Sequence, residues 1–115
     1  MLALEEAKEY LRVDSSFEDS LISSLILSSE SICMNVARLS ADEWETLSDY
    51  SDGDENPIIR GEEKSAGETR QMKELLRIGA LYALGYLYEH REEGDHHDLV
   101  MTLRNLLFAV REGVF

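Results

Sequence analysis

Residues 68–91, read as ETRQMKELLRIGALYALGYLYEHR, decide the fold. Met72, Leu75, Leu76, Ile78, Ala80, Leu81, Ala83, Leu84, Leu87 and Tyr88 recur at three- and four-residue intervals, so the segment predicts a helix over Glu68–Arg91. At its centre the apolar residues go nearly all the way round, which is the pattern of a helix buried on several sides. Gly79 and Gly85 lie inside it, although each glycine costs about 1 kcal/mol against alanine in a helix interior. With Ala83, they predict a face that a neighbouring helix approaches closely.

Upstream, Leu4, Ala7 and Leu11 share one face of a short helix, with Glu5 and Glu6 in the first turn where carboxylates suit the helix dipole. Ser15 with Glu18, or Ser16 with Asp19, has capping-box spacing and predicts the start of a second helix running to about Leu39. Its apolar stripe is Phe17, Leu21, Ile22, Leu25, Ile32, Cys33 and Val36. Ser40 with Glu43 repeats the capping spacing and predicts one or two more turns, with Trp44 and Leu47 packed back on the core.

Downstream, Gly94 stops the long helix and Asp98 caps a last one whose apolar face is Leu99, Leu103, Leu106, Leu107 and Val110. The expected fold class is therefore all-α: a single domain over residues 1–115, a small bundle of four to five helices. A long acidic loop, residues 48–67, separates the second or third helix from the long central one. From Ala41 to Glu68 there are ten acids against two bases, which is −8 of the total −13. Such a segment predicts an exposed connection, mobile in the isolated chain, with Ile58-Ile59 as its one apolar island.

Length and composition bound the function. The chain has 115 residues, 43% of them hydrophobic and 30% charged, enough for one core and not two. Twenty-four acids against eleven Lys and Arg argue against a protein that grips nucleic-acid phosphates. One cysteine excludes an internal disulfide framework, and Cys33 reads as a buried, reduced thiol. No targeting or membrane segment is expected: the most apolar stretch, Ile78–Tyr88, is too short to span a bilayer.

Candidate chemistry is sparse. His90, His96 and His97 cluster with carboxylates, but no H-E-x-x-H or similar ligand pattern accompanies them, and a solvated interhelical turn is the preferred reading over a metal site. The acids Asp49, Asp52, Asp54 and Glu55 do not make a calcium loop. With Asp49 first, Gly53 falls fifth and Arg60 twelfth, so the closing carboxylate is missing. No nucleophile, base and orienting group can be assembled and no phosphate-binding glycine loop is present, so no catalytic residue, metal or cofactor is assigned.

Four segments in order resemble the head–tail connector family, the small head-completion proteins of long-tailed phages. Leu4–Asp14 matches an "L-x-E-A-K-x-x-L-R-hydrophobic-D" opening, and Glu18-Asp19-Ser20-Leu21-Ile22 fits the "D-x-L-I" start of a long helix. Tyr88-Glu89-His90-Arg91-Glu92 matches "Y-E-x-R-E", and Leu106–Arg111 matches a final "L-L-x-x-x-R". The likeness covers most of the chain outside 40–67. It departs from the family at Ala3, where Ser or Thr often caps the first helix, and in its longer, more acidic central loop.

The resemblance implies a structural adaptor, not an enzyme. It would assemble as a ring, generally dodecameric, beneath a portal protein, extend the DNA channel, join capsid to tail and offer a platform to a tail-side completion or stopper protein. DNA would pass without specific binding, no membrane would be involved, and the location would be the virion's head–tail junction after assembly in host cytoplasm. On that reading Asp49, Asp52, Asp54, Glu55, Ile58, Ile59, Glu62 and Glu63 are expected to face the channel or a neighbouring subunit, ordering on assembly. An acidic lumen repels DNA phosphates within a Debye length of about 8 Å. Phe108, Arg111, Val114 and Phe115 are expected to contact the portal, with Phe115 alternatively folding back on the domain. The competing expectation is an acidic helical regulator, or DNA mimic, that binds a basic partner.

Overall fold

The computed structural model describes residues 1–92 and 95–114. Among them the chain is mostly helical, with a single two-stranded hairpin: α1 (Leu4–Leu11), α2 (Asp19–Val36), α3 (Ala41–Asp49), β1 (Ile58–Ile59), β2 (Glu62–Glu63), α4 (Ala66–Glu89), α5 (His97–Leu106) and α6 (Phe108–Glu112). No single helix among the described residues is long and apolar enough to cross a membrane.

The long helix α4 lies against α2, and this pair is the axis of the core. Leu76, Ala80, Ala83 and Leu84 of α4 and Ile22 and Cys33 of α2 are fully buried. The expected role of small residues on α4 holds at two positions. A Cβ on Gly79 would stand 3.2 Å from Leu107 Cδ2 and 3.6 Å from Cys33 Sγ, so the glycine lets α2 and the end of α5 meet α4 together. A Cβ on Gly85 would stand 3.2 Å from the Tyr10 ring, which lies on α4 there. Burial in this core, reinforced by the charge of Glu30, pushes the Cys33 thiol up to about 12.

Several boundaries differ from the sequence expectation. Helix α2 begins at Asp19 with no side-chain cap, so neither Ser15 nor Ser16 closes a capping box. Phe17 precedes the helix and is 96% exposed, not part of the apolar stripe. The buried stripe of α2 is instead Ile22, Ile26, Ser29, Cys33 and Val36. Ser29 joins it because its hydroxyl donates to the Leu25 carbonyl at 2.6 Å, which satisfies a polar group inside the core. The helix stops at Val36, short of Leu39, as Arg38 turns the chain with φ 59°.

At α3 the Ser40–Glu43 capping box forms in full, and Trp44 and Leu47 are buried as expected. Helix α4 starts two residues before Glu68, at Ala66, because Ser65 and Glu68 form a second complete capping box. Asp98 lies in the first turn of α5 and does not cap it. The last helix is two, broken at Leu107, so the described residues hold six helices where four to five were expected. The expected stop at Gly94 lies outside the described residues.

The largest correction concerns 48–67. The segment is exposed along much of its length, but it is not a free loop. Ile58 pairs with Glu63 and Ile59 with Glu62 in an antiparallel register, and Arg60-Gly61 makes the turn with φ 53° and 78°. Tyr50, Pro57, Ile59 and Lys64 are buried. Ile59, only 2% exposed, belongs to the chain's own core and is not a surface residue.

Candidate assembly surfaces

The four segments that carry the family resemblance make polar contacts that tie them to one another and to α2. Lys8 of the opening segment sits in α1 and pairs with Asp19, the first residue of α2, at 2.9 Å. The Asp19 carboxylate, opposed by burial, holds the Lys8 ammonium above its ordinary value. Glu18, just before α2, accepts a hydrogen bond from the Tyr88 hydroxyl and lies 3.6 Å from Arg91. The Glu18 bond raises the Tyr88 phenol above its ordinary value. Arg91 also stacks 5.0 Å over the Tyr88 ring. Arg111 of the last segment donates to the Val36 carbonyl at 3.3 Å, at the end of α2.

The acidic segment is tied down by a cation of its own, Arg60, and by Lys73 of α4. Arg60 is its main fixture. Its guanidinium donates to the Val110 carbonyl at 2.6 Å, to the Ala37 carbonyl and to the Arg38 carbonyl at 3.3 Å, bridging the ends of α2 and α6. Its backbone N–H donates to Glu43 Oε2 at 2.6 Å. Burial works to raise the Glu43 carboxyl, but the Ser40 and Arg60 backbone N–H groups, the Ser40 hydroxyl and the Arg60 charge together hold it below its ordinary value. Lys73 of α4 donates to the Ser48 and Tyr50 carbonyls at 3.0 and 2.8 Å.

The candidate acids therefore stand on a built surface. Asp49, Asp52, Asp54, Glu55, Glu62 and Glu63 are exposed. Asp52 pairs with Arg70 at 3.3 Å, Asp54 accepts from the Ser51 N–H at 2.8 Å, and Glu62 pairs with Lys64 at 3.2 Å. Ile58 is 66% exposed and stands on the hairpin opposite Glu63.

Of the candidate portal contacts, Phe108 and Val114 are exposed, at 57% and 63%. Arg111 is turned inward, onto Val36 and, at 3.5 Å, Glu112. Phe115 lies outside the described residues. Two of the three histidines, His90 and His96, are arranged around Tyr86. His90 stacks on its ring at 4.2 Å with Nδ1 2.9 Å from its carbonyl, and His96 meets the ring edge-on at 6.0 Å. Among the described residues, no three His, Cys, Asp or Glu side chains are grouped to hold a metal ion.

Sequence reasoning missed two features. The tethers Arg60 and Lys73 have no signature, because any main-chain carbonyl serves as their acceptor. A groove of about 600 Å³ between α2, the end of α4 and the start of α5 was also missed. It is lined by Leu25, Leu27, Ile32 and Leu87 together with Arg91 and His96. Leu27 lies off the predicted apolar stripe and is 73% exposed, so the core makes little use of it. Compared with known proteins, the chain matches no protein-family model, no curated protein sequence and no solved structure.

Proposed function

We propose that this chain is a structural adaptor of the phage head–tail junction, which assembles as a ring beneath a portal protein, extends the DNA channel and joins capsid to tail. The observation that carries the proposal is the contact network of the resembling segments: Lys8 with Asp19, Glu18 with Tyr88 and Arg91, and Arg111 with the end of α2. Lys8, Asp19, Tyr88, Arg91 and Arg111 are fixed positions of the pattern, and their contacts hold α1, the end of α4 and α6 to the start or end of α2, which supports the family reading. The exposed apolar Phe108 and Val114 and the exposed acids from Asp49 to Glu63 supply, in this reading, the portal contact and the DNA-repelling or inter-subunit face.

Light scattering on the chain, alone and mixed with a candidate portal protein, tests the reading. A ring of many copies, free or on the portal, is expected. A monomer that ignores the portal overturns the adaptor and favours an acidic regulator, which would then compete with DNA for a basic protein.

A further inference from the structure

The hairpin and the groove on α2 carry opposite charges beside exposed aliphatic side chains. Directly paired residues of an antiparallel ladder share one face of the sheet. Ile59 and Glu62 share one face, with Ile59 buried in the core and Glu62 exposed and paired to Lys64. Ile58 and Glu63 form the outer face, an exposed aliphatic beside an exposed carboxylate. Arg60 and Glu43 hold that face in place, so little ordering remains to be done when it binds.

The groove offers the opposite set. Leu27, 73% exposed, lines it with Leu25 and Leu87, and Arg91 is among the lining residues, with its side chain 45% exposed and its direction fixed by Glu18 and Tyr88. In a chain of net charge −13, exposed aliphatic surface with a cation among its lining residues favours an apolar projection that carries an acid.

One molecule cannot satisfy itself. The hairpin ends three residues before α4 begins, and the groove is built around its last turn. The 24 residues of α4 span about 36 Å at 1.5 Å per residue, so the two surfaces lie at opposite ends of the long helix. A second copy carries the missing half of each.

We propose that the Ile58–Glu63 face of one copy docks in the Leu27–Arg91 groove of the next, a head-to-tail contact. Such a contact leaves one free surface at each end, and it yields a ring when the rotation between copies closes, or a filament when it does not. The inference rests on the adaptor reading in that it supplies the subunit contact the ring requires.

Light scattering across a concentration series tests it with Ile58→Asp and Leu27→Asp, checked by circular dichroism for an unchanged fold. Each variant alone is expected to lose self-association by about tenfold or more, since a buried charge has entered an apolar contact. Mixed together, the intact groove of the first and the intact hairpin of the second are expected to pair once, giving dimers and nothing larger. Arg91→Glu and Glu63→Arg are each expected to weaken association, and the double variant to restore it. Monomers on mixing, or a wild-type chain that never associates, overturn the inference. Rings on a portal that ignore all four substitutions overturn it while leaving the adaptor reading intact. Mixed dimers from a chain that no portal binds overturn the adaptor reading and leave the contact standing.

Discussion

The α2–α4 pair and the segment from Tyr50 to Ser65 are ordered by different physics. Between the two helices the contacts are apolar and repeat along the chain: Ile22 and Cys33 on one side, Leu76, Ala80 and Leu84 on the other, with Gly79 giving the close approach. The acidic segment has little apolar area to bury beyond Tyr50, Pro57 and Ile59. It is held instead by single polar bonds, from the Arg60 guanidinium to three carbonyls, from Lys73 to two, and from the Arg60 N–H to Glu43. Acid-rich composition does not by itself make a segment mobile. What matters is whether its main-chain groups find partners, and here the cations of the segment and its neighbours supply them.

The sharpest way to break the comparison is to weaken each region separately. Leu84 is fully buried on α4, and Leu84→Ala is expected to cost about 3 kcal/mol through lost transfer energy and the cavity left behind. Urea unfolding measures it, and the slope of the transition should stay near the wild-type value because the whole domain still unfolds together. A loss under about 1 kcal/mol would mean that the α2–α4 pair is not the principal core.

Arg60→Ala is expected to cost less, about 2 kcal/mol, since the bonds it removes are charge-assisted but lie partly in solvent. Its distribution should differ from that of Leu84→Ala. Amide exchange at Ile59 and Lys64 should speed up while the α2 and α4 amides keep their protection. Because Arg60 has φ 53°, Arg60→Gly should be milder than Arg60→Ala by about 1 kcal/mol, as glycine adopts that backbone freely. Uniform loss of protection across both regions would show that the hairpin and the helical core are one cooperative unit.

The two regions also differ in how far the sequence discloses them. Burial on a helix recurs with a fixed period, so Leu76, Ala80, Ala83 and Leu84 mark α4 without any structure. The Ser65–Glu68 spacing was equally readable and would have placed its start. Phe17 misleads because apolar character alone does not say on which side of a helix start a residue falls. The strands are two residues each, too short for an alternating pattern. The Arg60 and Lys73 tethers are contacts to main-chain oxygens up to 50 residues away, which leave no mark on the acceptor's identity. Of the candidate surfaces, the acids and Phe108 were legible as exposed polar or apolar residues. The groove was not, because it exists only where α2, α4 and α5 converge.

The smallest expected effect lies at the joint between the two regions. Glu43 completes the cap of α3 with one oxygen and takes the Arg60 N–H with the other. Glutamine keeps the first role and loses the second, so Glu43→Gln is expected to cost about 1 kcal/mol at neutral pH. The sign of its pH dependence follows from the direction of the shift. A carboxyl held below its ordinary value in the folded chain stabilises that state above the unfolded value of about 4.3, and the contribution fades as pH falls through the lower, folded one. Glu68 and Glu74 are also held low, by the Ser65 backbone and hydroxyl and by Arg77 respectively, so the wild-type acid limb contains several groups. The difference between wild type and Glu43→Gln isolates one of them: constant through the neutral range and shrinking below about pH 4. A gap of constant size down to strong acid would mean that Glu43 acts through its shape alone, and that the joint between cap and hairpin carries no charge-assisted bond.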